Sequence, residues 1–339
     1  MRSVVRLIVS LAAVFCFVLP SPALAALDKP VEFTIIAQQP GSGLYNYATT
    51  LSRLLQDKLP EGSKITIAPR GASMVNPTVL DQGKAPFAFA AGAPAEWAWR
   101  GLEEVYGTYG PHKNIRYVSL GHLNDNYMVF VARKEYVDKT GNDTLEKLLN
   151  AKELPRVAMK PQGSVALPIT NAMFSAIGKS LEDLRKAGKL IQTQPAQIGE
   201  MLRDGRVDAY FENCPSGHPA FTETSMTNEL FYYPIPESML EAGKAMGITP
   251  FTMKKGTFKG LEADYPSLGT PNVLLAHKDA DPELVYIVTK TLNDNIEIMK
   301  KDNPGMDYWD PKTQNDRTGM SVPLHPGAER YYKEVGLIK

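Results

Sequence analysis

The sequence predicts an α/β protein organised as two compact units. Three observations predict it. Strand-like and helix-like segments alternate along the chain, 339 residues exceed what one small core requires, and no low-complexity linker separates the halves. An apolar fraction of 43% and a charged fraction of 22% are ordinary globular values, which excludes disordered, collagen-like, coiled-coil and disulfide-framework chains. Lys and Arg together number 37, and so do Asp and Glu; a net charge of zero leaves no electrostatic footprint for nucleic acid.

The first segment stands apart from the fold. Arg2 and Arg6 give a basic start, and Leu7 to Leu19 run apolar except for Ser10. Pro20 breaks the run, and Ala23 and Ala25 supply small residues where a peptidase needs them. Residues 1–25 therefore read as a secretory signal peptide cleaved after Ala25. A buried helix or an anchor is the other reading, but the run is shorter than the about 20 residues a spanning helix needs. Bulky Phe15 before Cys16 argues against lipidation. The mature chain keeps one cysteine, Cys214, so no internal disulfide forms. A soluble, exported and periplasmic product is expected.

The elements follow in order. Glu32 to Ala37 reads as a buried strand. Leu44, Tyr47, Ala48, Leu51, Leu54 and Leu55 then keep helical spacing up to the stop at Pro60. Ile65–Ala68, Pro86–Ala90, Tyr117–Leu120 and Met128–Ala132 read as further strands with short helices between them. That rhythm predicts a parallel sheet. A second unit begins after about residue 132, with a helix at Thr144–Leu149, a strand at Val157–Met159 and a helix at Ala166–Ile177. A helix at Ala196–Leu202 and strands at Val207–Phe211, Leu230–Tyr233 and Asn272–Ala276 follow. Asp281 caps a long final helix, with Pro282 at its first position and Leu284, Val285, Ile287, Val288, Leu292 and Ile296 on the buried side.

Three turns share one chemistry. Pro40-Gly41-Ser42-Gly43, Arg70-Gly71-Ala72-Ser73 and Gln162-Gly163-Ser164 each follow a strand and open a helix. Glycine lets backbone approach a ligand, and the helix start offers unpaired N–H groups and partial positive charge. Such a spot suits a phosphate or a carboxylate beyond the carboxyl ends of the strands. Each turn alone also fits an ordinary turn with a Ser helix cap. None is a dinucleotide fingerprint or a P-loop.

Catalytic and metal motifs are missing. There is no nucleophile elbow and no H-E-x-x-H, and the five histidines are scattered. Cys214 and His218 form either a nucleophile pair or, the blander reading, a structural thiol beside an unrelated imidazole. Trp97 and Trp99 cannot both face one core on a helix, so either one lines a cleft or both pack against neighbouring helices. Arg70 either grips a ligand carboxylate with its two-pronged guanidinium or forms a surface ion pair.

Nearly the whole mature chain resembles the TAXI class of TRAP-transporter solute-binding proteins. Ile35-Ile36-Ala37 with Pro40 to Tyr45 is similar to that family's first strand, turn and Tyr. Arg70-Gly71-Ala72-Ser73 through Asn76 resembles its T-G-G-S-x-x-N turn. Gln162-Gly163-Ser164 matches its G-S-G-T turn in part, continuing as Val165-Ala166-Leu167-Pro168. Asp204 to Phe211 resembles its D-G-x-x-D-A segment, with Gly217 and Pro219 for the following G-x-P. Pro323 to Ala328, Tyr331-Tyr332 and Glu334-Val335-Gly336 look like its C-terminal signature.

The resemblance implies a two-lobed periplasmic-binding-protein fold, type II-like, with the ligand cleft between lobes. Lobe one would comprise 26–126 and 277–339, and lobe two 127–276, with crossing strands near Tyr127–Val131 and Asn272–Ala276 as the hinge. Ser42, Gly43, Tyr45, Arg70, Ser73 and Asn76 would line one wall, with Trp97 packing the ligand's carbon skeleton. Gln162, Gly163 and Ser164 would line the other, with Asn213 and Ser216 at the mouth. The implied role is a receptor rather than an enzyme. It would capture a small organic carboxylate (a dicarboxylate, 2-oxo acid or amino acid) and deliver it to a TRAP membrane permease. No cofactor and no metal are expected, and the receptor is expected to be a monomer. Two other roles stay open: a sensing partner of a membrane kinase, and a periplasmic Cys/His enzyme.

Overall fold

The computed structural model describes residues 27–40, 42–69, 73–102, 111–312 and 320–339. The segment read as a signal peptide lies outside the described residues, as does Arg70. The described residues form two five-stranded sheets and a hairpin, each sheet flanked by helices. This is the mixed α/β architecture expected of a two-lobed protein.

The first sheet holds β1 (Glu32–Ile36), β2 (Lys64–Ala68), β3 (Phe87–Ala91), β4 (Ile115–Tyr117) and β12 (Asn272–His277). Their order is β2-β1-β3-β12-β4. The second sheet holds β5 (Tyr127–Arg133), β6 (Val157–Met159), β7 (Leu190–Gln192), β8 (Ala209–Cys214) and β9 (Leu230–Tyr232). Their order is β7-β6-β8-β5-β9. The hairpin pairs β10 (Thr249–Met253) with β11 (Tyr265–Gly269).

The rhythm of elements predicted parallel sheets, and each sheet is instead mixed. β1 pairs in parallel with β2 and β3, and β6 with β7 and β8. β12 runs antiparallel to β3 and β4, and β5 antiparallel to β8 and β9. The cause is connectivity. A parallel neighbour needs a crossover of a dozen or more residues. β5 and β12 enter their sheets straight from the segments that cross between the halves, so they arrive from the opposite end.

Asn272–Ala276, expected as one of the two hinge strands, lies in the first sheet, between β3 and β4. The strand expected at Tyr117–Leu120 is Ile115–Tyr117, and Val118 onward belongs to the crossing segment. The two crossings run side by side. Asn126 Nδ2 donates to Thr270 O at 2.8 Å, and Asn272 N donates to Asn124 Oδ1 at 2.6 Å. A Cβ on Gly269 would lie 2.0 Å from Asn126 O, so only glycine permits this approach.

Helix α1 (Gly43–Gln56) buries Leu44, Tyr47, Ala48, Leu51 and Leu55 of the stripe its spacing predicted, and half-buries Leu54. It packs on a core shared with α11 (Pro282–Asp294). Asp281 caps α11 by accepting from Glu283 N at 2.7 Å and Leu284 N at 3.2 Å. That helix ends at Asp294, so Ile296 opens the next one, α12 (Ile296–Asp302). The C-terminal helix α13 (Pro326–Glu334) closes the first core. A Cβ on Gly327 would lie 2.1 Å from Pro282 O, and Tyr332 OH donates to Val118 O at 2.9 Å. The C-terminal motif thus docks a helix. Among the described residues no helix is long and apolar enough to cross a membrane.

Candidate functional site

The turns after β1, β2 and β6 open α1, α2 (Asn76–Asp81) and α6 (Ala166–Ser175). Two of them touch across the sheets. Met74 N donates to Gly163 O at 3.4 Å, and Val165 N donates to Ser73 Oγ at 3.3 Å. The carboxyl ends of the parallel strands of both sheets therefore face each other. Because β5 and β12 are antiparallel, their first residues lie at these ends too.

Apart from Arg70, which lies outside the described residues, each expected site residue has a definite place. Ser42 caps α1, its Oγ accepting from Tyr45 N at 3.3 Å. Gly43 is the first residue of that helix, and half-buried Tyr45 packs against the first core. Ser73 is buried and reaches the opposite turn, as above. Asn76 is wholly buried, and its Nδ2 donates to Phe89 O at 2.7 Å and Ala37 O at 3.4 Å. It straps the ends of β1 and β3 together, while its Oδ1 has no partner. Gln162 is exposed, Gly163 takes a φ of 90°, and buried Ser164 accepts from Ala166 N at 3.3 Å. Ser42 thus acts as a helix N-cap, whereas Ser164 closes a local turn just before its helix, whose N-cap position is Val165.

Trp97 does not line an open cleft. It is 2% exposed, lies in α3 (Gly92–Arg100), and packs in the core built on the second sheet. Its Nε1 donates to Met246 O at 2.9 Å. Trp99 faces the other way, under Lys113 at 4.2 Å and Arg116 at 5.4 Å from the ring centre. The Trp pair therefore splits between two surroundings, as its spacing required.

Around the end of β8 the sequence reading missed three charged groups, Lys160, Glu212 and Asp125. Lys160 follows β6, and its Nζ lies 2.7 Å from Oε1 of wholly buried Glu212 and 3.2 Å from Asn213 O. Tyr210 OH also donates to Glu212. Asn213 is buried with its Nδ2 unpartnered. Asp125, in the first crossing segment, accepts from Ser216 N at 2.9 Å, Ser216 Oγ at 2.6 Å and Tyr127 OH at 2.8 Å. The first half adjoins this cluster, since a Cβ on Gly305 would lie 3.1 Å from Tyr47 OH and 3.3 Å from Ser216 O.

Cys214 and His218 are not poised for nucleophilic chemistry. Burial, and then the Glu212 charge, pushes the Cys214 thiol well up. Burial, and then the Lys160 charge, pushes His218 down to about 3. A thiolate nucleophile needs the opposite shift. His218 Nδ1 accepts from Phe221 N at 3.3 Å and so caps the helix Pro219–Thr227.

The chain belongs to the NMT1-like family, whose sequence model matches residues 35–336. Solved structures with a similar course of chain include the alkanesulfonate-binding protein SsuA from Xanthomonas axonopodis pv. citri bound to MOPS. That similarity has 17% identity, covers 90% of this chain and 84% of the other, and has a TM-score of 0.48. A TRAP periplasmic solute-binding protein from Pseudomonas aeruginosa PAO1 with bound L-malate is similar at 10% identity, 90% and 97% coverage and a TM-score of 0.44. A third, a TRAP periplasmic solute-binding protein from Shewanella oneidensis with bound succinate, gives 13% identity, 91% and 92% coverage and a TM-score of 0.43.

Proposed function

We propose that this protein is the periplasmic substrate-binding receptor of a TRAP-type secondary transporter. It captures a small organic carboxylate between its two halves and hands it to a membrane permease. The observation that carries this reading is the meeting of the Ser73 and Gly163 turns across the two sheets. A ligand beside that contact touches both halves, and so selects the closed form by its differential affinity. Ser42, Gly43, Tyr45 and Asn76 belong to one wall. Gln162, Ser164, Asn213 and Ser216 belong to the other. Arg70 supplies the two-pronged contact to the acid, and its replacement by Ala should weaken binding at least about tenfold. The unreactive settings of Cys214 and His218 weigh against the enzyme reading.

A thermal-shift screen of the chain from Ala26 against organic acids, amino acids and aromatic acids tests the proposal. The protein is unfolded and refolded first, to strip co-purified ligand. A ligand at about 1,000 times its dissociation constant should add about 4 kcal/mol of stability. No shift with any acid would contradict the reading.

A further inference from the structure

We infer that Asp125 contacts the ligand and selects a cationic group on it, so that the ligand carries a protonated amine besides its acid. The inference rests on the receptor reading above and narrows its ligand. Three carboxylates are buried among the described residues: Asp125 at 7%, Asp208 at 6% and Glu212 at 0% exposure. Two of them have cations. Arg156 Nε and a terminal guanidinium nitrogen reach Asp208 at 2.9 and 2.6 Å, with Arg133 at 3.4 Å, and Lys160 reaches Glu212 at 2.7 Å. Asp125 has only neutral donors, the Ser216 backbone and hydroxyl and the Tyr127 phenol. Among the described residues no Lys, Arg or His pairs with it.

A buried charge without a counter-charge is costly, and proteins pair such groups. The place of this one matters. It lies in the segment joining the halves, bonded to Ser216, which the receptor reading puts at the mouth, and the first half approaches Ser216 at Gly305. Lys160 is already matched by Glu212, so among the described residues it leaves Asp125 without a cation. A dicarboxylate without an amine would add negative charge beside it. An amine-bearing acid supplies the missing cation, and its acceptor atoms suit the orphan Asn213 Nδ2.

Isothermal titration of the refolded chain from Ala26 tests this. The probes are the common L-amino acids, each beside the 2-oxo and 2-hydroxy acid of the same carbon skeleton, together with simple dicarboxylates. The expected result is an amino acid that binds at least about 30-fold more tightly than its 2-oxo and 2-hydroxy counterparts. Asp125→Asn should then remove that preference. The wild-type comparison decides the matter even where the variant does not fold. An acid lacking an amine that binds as tightly as its amine-bearing counterpart, or more so, overturns the inference and leaves the receptor reading standing. If no acid of any kind binds, the receptor reading falls and this inference with it.

Discussion

His218 offers a sharp test, because its setting makes a quantitative claim about pH. Burial and the Lys160 charge hold its imidazole near 3 rather than the ordinary 6.5. Between those values the unfolded chain binds a proton that the folded chain does not. Stability from this group is therefore complete above the ordinary value and falls as the pH drops toward the folded one, by about 1.4 kcal/mol per pH unit. At pH 5 the loss from His218 alone is roughly 2 kcal/mol. His218→Asn keeps an acceptor for the Phe221 N–H and removes the titration. Urea unfolding at pH 7.5 and pH 5 measures the difference. The wild type should lose about 2 kcal/mol more than the variant on acidification. Equal losses would refute the assignment of a buried, neutral cap. They would also reopen the reading of His218 as a group that titrates near neutrality, as a catalytic imidazole would.

Three further outcomes rest on the same geometry. Lys160→Met leaves Glu212 buried with only Tyr210 OH and Asn213 N as donors, and should cost about 3 kcal/mol in chemical denaturation. Adding Glu212→Gln to that variant should recover most of the loss; no recovery would mean that the pair is not the cause. Gly269→Ala drives a Cβ to 2.0 Å from Asn126 O, and should cost at least about 3 kcal/mol or prevent folding. Gly43→Ala, whose Cβ has contacts no nearer than 3.8 Å, should change stability by less than about 1 kcal/mol.

Local signals carried much of the fold. The stripe Leu44 to Leu55, the apolar run Phe87–Ala91 and the Asp281-Pro282 helix start each announce an element within a few residues. Strand direction is not local. Nothing near Tyr127 or Asn272 tells that these strands run against their neighbours, because the partners come from distant parts of the chain. The hairpin β10–β11 was missed for a different reason. Pro250 and Pro266 make its strands look like loop, and an edge hairpin tolerates prolines that a central strand does not.

The candidate site was legible in its turns. Glycine and serine after a strand mark a turn, and two of the three turns meet. The charged groups were not legible, because their partners lie far off in sequence. Asp125 and Ser216 are 91 residues apart, and Lys160 meets Asn213 across 53. One signal was present. Asn124-Asp125-Asn126 is a polar run between two apolar stretches, and buried polar runs of that kind need partners.

The central claim is that one ligand is held between the two halves and touches both. The direct measurement is isothermal titration of an acid found in the screen against the wild type, Ser73→Ala and Asn213→Ala. Each variant alters a different wall and is checked for folding by its unfolding curve. The account predicts that each single change weakens binding about fivefold or more. A folded variant of either wall that binds as tightly as the wild type would contradict it.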